Sequence, residues 1–199
     1  MAPKIAIVFY SMYGHIQKLA EAEKAGIEQA GGQVDLYQIP ETLPDDILGM
    51  MHAPPSRATF LFSKTRKPSL PTTGSCSESR LAMATCLHSG RTSGVWTSGG
   101  FHGKYAGIFV STGTLGGGQE STNLSAMSTL SHHGIIYVPL GYAKSFGQLT
   151  NMGEIHGGSP WGAGTFAGPD GSRQPTALET EIATIQGKTF YETVAKACA

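Results

Sequence analysis

Residues 4–39 constrain this chain more than any other stretch. Lys4 to Tyr10 (KIAIVFY) is an almost continuous apolar, β-branched run, the pattern of a strand buried on both faces of a parallel sheet. A helical repeat begins four residues later, with Ile16, Leu19, Ala20 and Ile27 on one face, and stops at Gly31-Gly32. Val34 to Ile39 (VDLYQI) reads as the next strand. Strand, loop, helix, turn and strand in that order form a βαβ unit, whose crossover is right-handed almost without exception.

The same alternation continues. Thr42 to Met51 is a short helix-like stretch, Tyr105 to Ser111 (YAGIFVS) a buried strand, Gln119 to Ser131 a helix, and Ile135 to Leu140 (IIYVPL) a further strand. Residues 151–175 are rich in Gly, Ser and Pro and read as a long loop. The last helix starts near Pro175. Thr176 and Glu179 have capping-box spacing, and Leu178, Ile182 and Ile185 share a face. The expectation is an α/β fold, a doubly wound parallel sheet, in a single domain spanning 1–199.

Composition narrows the function. Lys+Arg and Asp+Glu both number 14 in 199 residues, so the chain lacks the basic footprint of a nucleic-acid binder. Its apolar runs fall short of the roughly 18 residues that span a bilayer. MAPKIAIVFY reads as a strand and has no signal-peptide pattern, and Cys76, Cys86 and Cys198 make no disulfide framework. A cytoplasmic protein is the expectation.

Ser56 to Gly94 departs from this pattern. It is basic, Ser/Thr-rich and without a clean strand, although a sheet with strands near 5, 35, 108 and 137 lacks one in its middle. Read one base upstream, the codons from Gly74 to Arg91 permit Leu-Leu-Phe-Gly-Ile-Pro-Ser-Arg-Tyr-Gly-Asn-Met-Pro-Ala-Gln-Trp-Lys, an apolar strand followed by a Gly-containing loop and a helix start. A shifted frame over 56–94, restored near Val95-Trp96, is therefore expected, with low order in the segment as written.

Two loops carry the chemistry. Ser11-Met12-Tyr13-Gly14-His15-Ile16 lies between the carboxyl end of the first strand and the first helix, where open parallel sheets bind ligands. A helix N-terminus offers a phosphate unpaired N–H groups and the positive end of a dipole. Ser11 adds a hydroxyl, and Gly14 lets the backbone curl round an anion. Neither G-x-G-x-x-G nor Gly-Lys-Ser/Thr is present, so a single terminal phosphate, as on FMN, suits the loop better than a pyrophosphate. Taken alone, it fits an ordinary strand-to-helix turn with a Ser cap equally well. The second loop is Ser111-Thr112-Gly113-Thr114-Leu115-Gly116-Gly117, running on into Gly118 and Gln119. Glycines and hydroxyls just past a buried strand can run along a flat heteroaromatic ring, their N–H groups donating to its carbonyls and nitrogen.

Other signals are weaker. Trp96 can wall a pocket for a planar acceptor and is as often plain core. His132 and His133 can bond a flavin carbonyl; as a pair they lack metal-ligand spacing, and such residues more often cap a helix. No catalytic residue and no metal site are expected.

YSMYGHI at 10–16, STGTLGGGQE at 111–120, YVPLGY at 137–142 and HGGSPWGAGTFAGPDGSRQP at 156–175 resemble the WrbA-type NAD(P)H:quinone oxidoreductases of flavodoxin-like fold. Among these the look is most that of fungal members known as minor mould allergens. The resemblance covers about 1–55 and 95–199. In that family the intervening segment carries a P-T/S-R-Y-G-N loop that contacts the flavin, absent as written here and present in the shifted frame. The resemblance implies FMN as cofactor, NADH or NADPH as electron donor and a quinone as acceptor, with the flavin carrying the chemistry. It implies that Ser11 to Ile16 hold the phosphate, that Ser111 to Gly117 follow the ring, and that His132 or His133 reaches the flavin. Tyr13 would meet the nicotinamide and Trp96 flank the acceptor. It further implies a homo-tetramer whose active sites draw on neighbouring subunits, with 156–175 helping to build it, and recognition by IgE. The alternative is a flavodoxin-like FMN-binding antigen with impaired or no activity, because the departure at 56–94 removes one flavin loop.

Overall fold

The computed structural model describes residues 2–53, 80–84 and 97–198. Within them β1 (Lys4–Phe9), α1 (His15–Gln29) and β2 (Gln33–Gln38) form the expected opening unit, with β1 and β2 parallel from Lys4↔Gln33 to Phe9↔Gln38. Alternation decides which face of β1 is deeper: Ile5, Ile7 and Phe9 are buried, whereas Ala6 and Val8 are half-buried. A short α2 (Asp45–Met50) follows β2.

On the other side of β1 runs β3 (Arg80–Ala84), parallel from Lys4↔Arg80 to Val8↔Ala84. This corrects the expectation that 56–94 contains no clean strand: five of its residues pair with β1 on the side away from β2. The shifted-frame reading and the remainder of that segment, Cys76 and Cys86 included, lie outside the described residues.

The apolar run 105–112 forms two strands in succession, β4 (Tyr105–Ala106) beside β3 and β5 (Val110–Thr112) further along. Each has its own parallel partner, β6 (Ile136–Tyr137) for β4 and β7 (Gly164–Phe166) for β5. Gln186 explains how the break is tolerated. From the last helix it donates to the Ile108 carbonyl at 3.0 Å and accepts from the Ala163 N–H at 2.6 Å, satisfying backbone groups that a continuous ladder would have paired. The strand expected over 135–140 ends early, and the chain detours through a short α4 (Phe146–Leu149) before returning as β7. Pro139 has no N–H to extend the ladder, and the detour closes where the Gly141 N–H meets the Pro160 carbonyl at 2.8 Å.

Helices cover both faces. α1 and α5 (Ala177–Ala197) pack with β1 around Phe9, Leu19, Ile27, Ile182, Phe190 and Val194. The other face is covered by α3 (Gln119–His132), with Leu130 against Ala106, Ile108 and Val110. Burying each large apolar side chain contributes about 1.5–3 kcal/mol. No described helix is long and apolar enough to cross a membrane.

Candidate functional site

Past Phe9 the chain leaves the sheet at Tyr10 and turns into α1 through Gly14, whose φ of 88° lies in the left-handed region. Ser11 Oγ accepts the Gly14 N–H at 3.0 Å, and Gln38 Nε2 donates to the Ser11 carbonyl at 3.3 Å, tying the loop to β2. No side chain caps α1, so the N–H groups of its first turn stay available. A Cβ built on Gly14 meets nothing within 4 Å, which leaves an open approach to those donors. Ser11, Met12, Tyr13 and Gly14 line a cavity of about 450 Å³ that also reaches Lys18, Glu41 and Gln174. A phosphate monoester with a ring system attached fits this donor set.

Each predicted residue of the loop takes a different part. Tyr13 is 44% exposed at the cavity mouth, its hydroxyl donating to the Met51 carbonyl at 3.0 Å. His15 is buried and does not line the cavity; its Nε2 lies 2.7 Å from the Arg173 carbonyl. Ile16 packs into the main core. The side chains of His15 and Ile16 therefore anchor the helix, and neither residue lines the cavity.

Glu41 stands across the cavity. It accepts from Tyr10 Oη and from the backbone N–H groups of Thr42 and Leu43, and these bonds, the Tyr10 one foremost, hold its carboxyl below the usual range.

The second loop leaves β5 at Ser111 and Thr112. Thr112 Oγ1 donates to the Thr114 carbonyl at 2.8 Å, and the Gly117 N–H meets the same carbonyl at 3.0 Å. A Cβ on Gly117 would stand 2.7 Å from Thr112 Cβ, so the turn itself requires that glycine. Gly113 and Gly116 have open space around them, and with Thr114 and Leu115 they leave this stretch of backbone exposed. α3 then starts after Gly118 with no side-chain cap.

A hydrogen-bond relay brings the two loops to one end of the sheet. The Ala167 N–H donates to the Thr112 carbonyl at 2.9 Å, the Arg173 N–H to the Ala167 carbonyl at 2.9 Å, and His15 Nε2 meets the Arg173 carbonyl. Residues 111–118 do not line the cavity itself, which is bounded by the β1 loop and the end of β2.

Other predicted residues lie elsewhere. His132 and His133 end α3 just before β6 begins, where the Gly103 N–H bonds the Gly134 carbonyl. Because β4 and β6 run parallel, this is the opposite edge from the loops that follow β1 and β5. Within one chain the pair is not brought to the cavity; the His133 ring packs edge-on against Phe101. Trp96 lies outside the described residues. Among the described residues no cluster of His, Cys, Asp or Glu is arranged to hold a metal.

Sequence reasoning gave 156–175 no chemistry of its own, only, by resemblance, a part in building the assembly, and did not foresee the polar clasp within 155–179. Glu179 is fully buried and accepts from the Gly157 N–H at 2.8 Å, Thr165 Oγ1 at 2.7 Å and the Thr176 N–H at 3.0 Å. Arg173 pairs with it through both terminal nitrogens, at 3.1 and 2.9 Å, and lies 3.7 Å over the Phe166 ring. Burial alone would raise the Glu179 pKa, but the bonds from Arg173, Gly157, Thr176 and Thr165 outweigh it and hold the carboxyl below its ordinary range. Gln119, buried at the start of α3, donates to the Thr165 carbonyl and accepts from the Gly158 N–H. The one sequence signal for this network was the capping-box spacing of Thr176 and Glu179, which forms as read.

Comparison with known proteins adds the following. No protein-family model matches the chain. It is 52% identical over 213 residues to the minor allergen Alt a 7 of Alternaria alternata, covering 99% of each chain. It is 55% identical over 210 residues to the NAD(P)H quinone oxidoreductase PST3 of Candida albicans, covering 98% of this chain and 100% of that one. Against the minor allergen Cla h 7 of Davidiella tassiana it is 55% identical over 201 residues, covering 98% of both. Among solved structures, the WrbA-like flavodoxin of Agrobacterium tumefaciens superposes with a TM-score of 0.51 at 16% identity over 97% of this chain and 98% of that one. An archaeal flavodoxin gives 0.50 at 13%, over 96% and 99%. At such identities these two structures establish the fold alone.

Proposed function

The chain belongs to the WrbA-like family of flavodoxin-fold NAD(P)H quinone oxidoreductases that includes fungal minor allergens, and from this we propose that it binds FMN at the rim joining the two loops and reduces quinones with NAD(P)H. The observation that carries the reading is the relay from Thr112 through Ala167 and Arg173 to His15, which holds an uncapped helix start and an exposed Gly-rich turn at the same end of the sheet. Bound FMN would supply two-electron chemistry, taking a hydride from the nicotinamide and delivering electrons to the quinone. The protein's own part is binding and orientation. The first-turn N–H groups of α1 and the Ser11 hydroxyl hold the phosphate, and the backbone of Ser111 to Gly117 offers N–H donors along the ring. Tyr13, tethered to Met51 at the cavity mouth, is placed to meet the nicotinamide.

A homo-tetramer belongs to the same proposal. Tyr142, Phe146, Met152 and Ile155 on the detour between β6 and β7 are exposed apolar side chains that an interface would bury. In such an assembly His132 and His133 would reach the flavin from a neighbouring copy. A cytoplasmic location and IgE recognition are likewise proposed, the second supported by the two allergen relatives.

The test uses protein purified from its natural source. Flavin absorbance and NADH- or NADPH-dependent reduction of benzoquinone, lost on stripping FMN and regained on adding it back, are expected. Protein that stays colourless through an FMN titration, or turns yellow but leaves benzoquinone unreduced, contradicts the respective half of the reading.

A further inference from the structure

We propose that Lys18, presented by Gln174, is the counter-cation that makes this site select a phosphorylated flavin. The inference rests on the FMN reading and names a residue outside the loop motif. Lys18 is one turn into α1, and a helical side chain leans back over the turn N-terminal to its own Cα, here toward Gly14 and His15. Its ammonium donates to Gln174 Oε1 at 2.7 Å, and Gln174 follows Arg173, whose side chain is locked to Glu179. The cation is thus held from two elements at the edge of the cavity.

Charge shows why the position matters. Lys18 is the single cation among the described residues lining the cavity, against two carboxylates, Glu21 and Glu41. Both carboxylates are engaged, Glu21 with Gln17 Nε2 at 3.0 Å and Glu41 with Tyr10 and the backbone of Thr42 and Leu43. Lys18 makes no ion pair among the described residues. A phosphate entering without it would meet acidic side chains opposed only by neutral N–H donors. With it, the phosphate gains a charge-assisted bond, and the formal charge of the cavity lining falls from two negative to one.

The experiment measures FMN and riboflavin dissociation constants by flavin fluorescence quenching for the wild type, Lys18→Gln and Lys18→Arg. Measurements run over a range of salt concentrations, and thermal melts report on folding. Lys18→Gln is expected to weaken FMN about tenfold, the loss of one charge-assisted bond. Riboflavin affinity and melting temperature should stay unchanged, and the salt dependence of FMN binding should become shallower. Lys18→Arg should restore FMN affinity. Unchanged FMN affinity in Lys18→Gln, or an equal loss for FMN and riboflavin, overturns the proposal while leaving the flavin reading intact. A folded wild type that binds neither ligand overturns the flavin reading and this inference with it.

Discussion

Glu23 lies fully buried on α1, and neither carboxyl oxygen has a hydrogen-bond partner among the described residues. Burial alone pushes its pKa well above the ordinary carboxylate range. A folded-state pKa above the unfolded one gives stability that is complete below the unfolded value and is lost as pH rises toward the folded value. Glu23→Met should therefore stabilise the protein by about 1–3 kcal/mol near neutral pH, with the gain shrinking in acid. Thermal melts of both proteins across that pH range would measure it, and a variant less stable at neutral pH would contradict the account. At this scale the sequence was informative about backbone and less so about side-chain direction. Ser11 to Gly14, read as part of a phosphate loop, line the cavity, whereas the side chain of His15, read as part of the same loop, turns inward to Arg173. Its direction depends on helix phase and on a loop more than 150 residues away, which local spacing does not encode.

Between elements, the α1–α5 contact and the 155–179 clasp support the site. A Cβ on Gly26 would stand 2.0 Å from the Thr184 carbonyl oxygen, and one on Gly187 2.1 Å from that of Glu23. Neither backbone can yield without separating the helices, so Gly26→Ala should cost about 3 kcal/mol, read as a lowered denaturation midpoint in urea. Glu179→Gln leaves Arg173 without its carboxylate and should cost about 3–5 kcal/mol. The wild-type Glu179 carboxyl, held below its ordinary range, contributes stability that is present at neutral pH and lost as pH falls through its folded value. Acid unfolding should accordingly be less steep in the variant. β1, α1 and β2 were legible from their apolar patterns and α5 from its capping box and the shared face of Leu178, Ile182 and Ile185, whereas α3 presents almost no apolar face, its buried residues being Gln119, Asn123 and Leu130. Tyr105 to Ser111 and Ile135 to Leu140 were read as unbroken strands, because apolar content does not reveal that Gln186 inserts between Ile108 and Ala163 or that Pro139 ends the ladder. β7 is only Gly164–Phe166 in a Gly/Pro-rich stretch, too short to leave a period of its own.

Across the whole molecule, the doubly wound order turns separate loops into one rim. Polarity follows from it: β1 leads into the Ser11 loop and β5 into the Gly113–Gly118 loop, while His132 and His133, read from sequence as a partner to the flavin, precede β6 and stand at the other edge. That distinction needs the three-dimensional direction of β6 and was invisible in a one-dimensional motif. The segment 56–94 was conspicuous by composition, yet Arg80–Ala84 still pairs with β1, whose free edge offers backbone partners to an extended five-residue stretch. Tryptic mass spectra of the natural protein are expected to contain the shifted-frame peptide running from Leu-Leu-Phe-Gly-Ile through Ser-Arg. Recovery of LAMATCLHSGR would show instead that the chain is made as written. Hydrogen–deuterium exchange of the intact protein, with and without saturating FMN, tests most directly whether the two loops grip one ligand. Slowed exchange in residues 11–18 and 111–119 together is the predicted result, and protection of only one of the two stretches, or of neither, would contradict it.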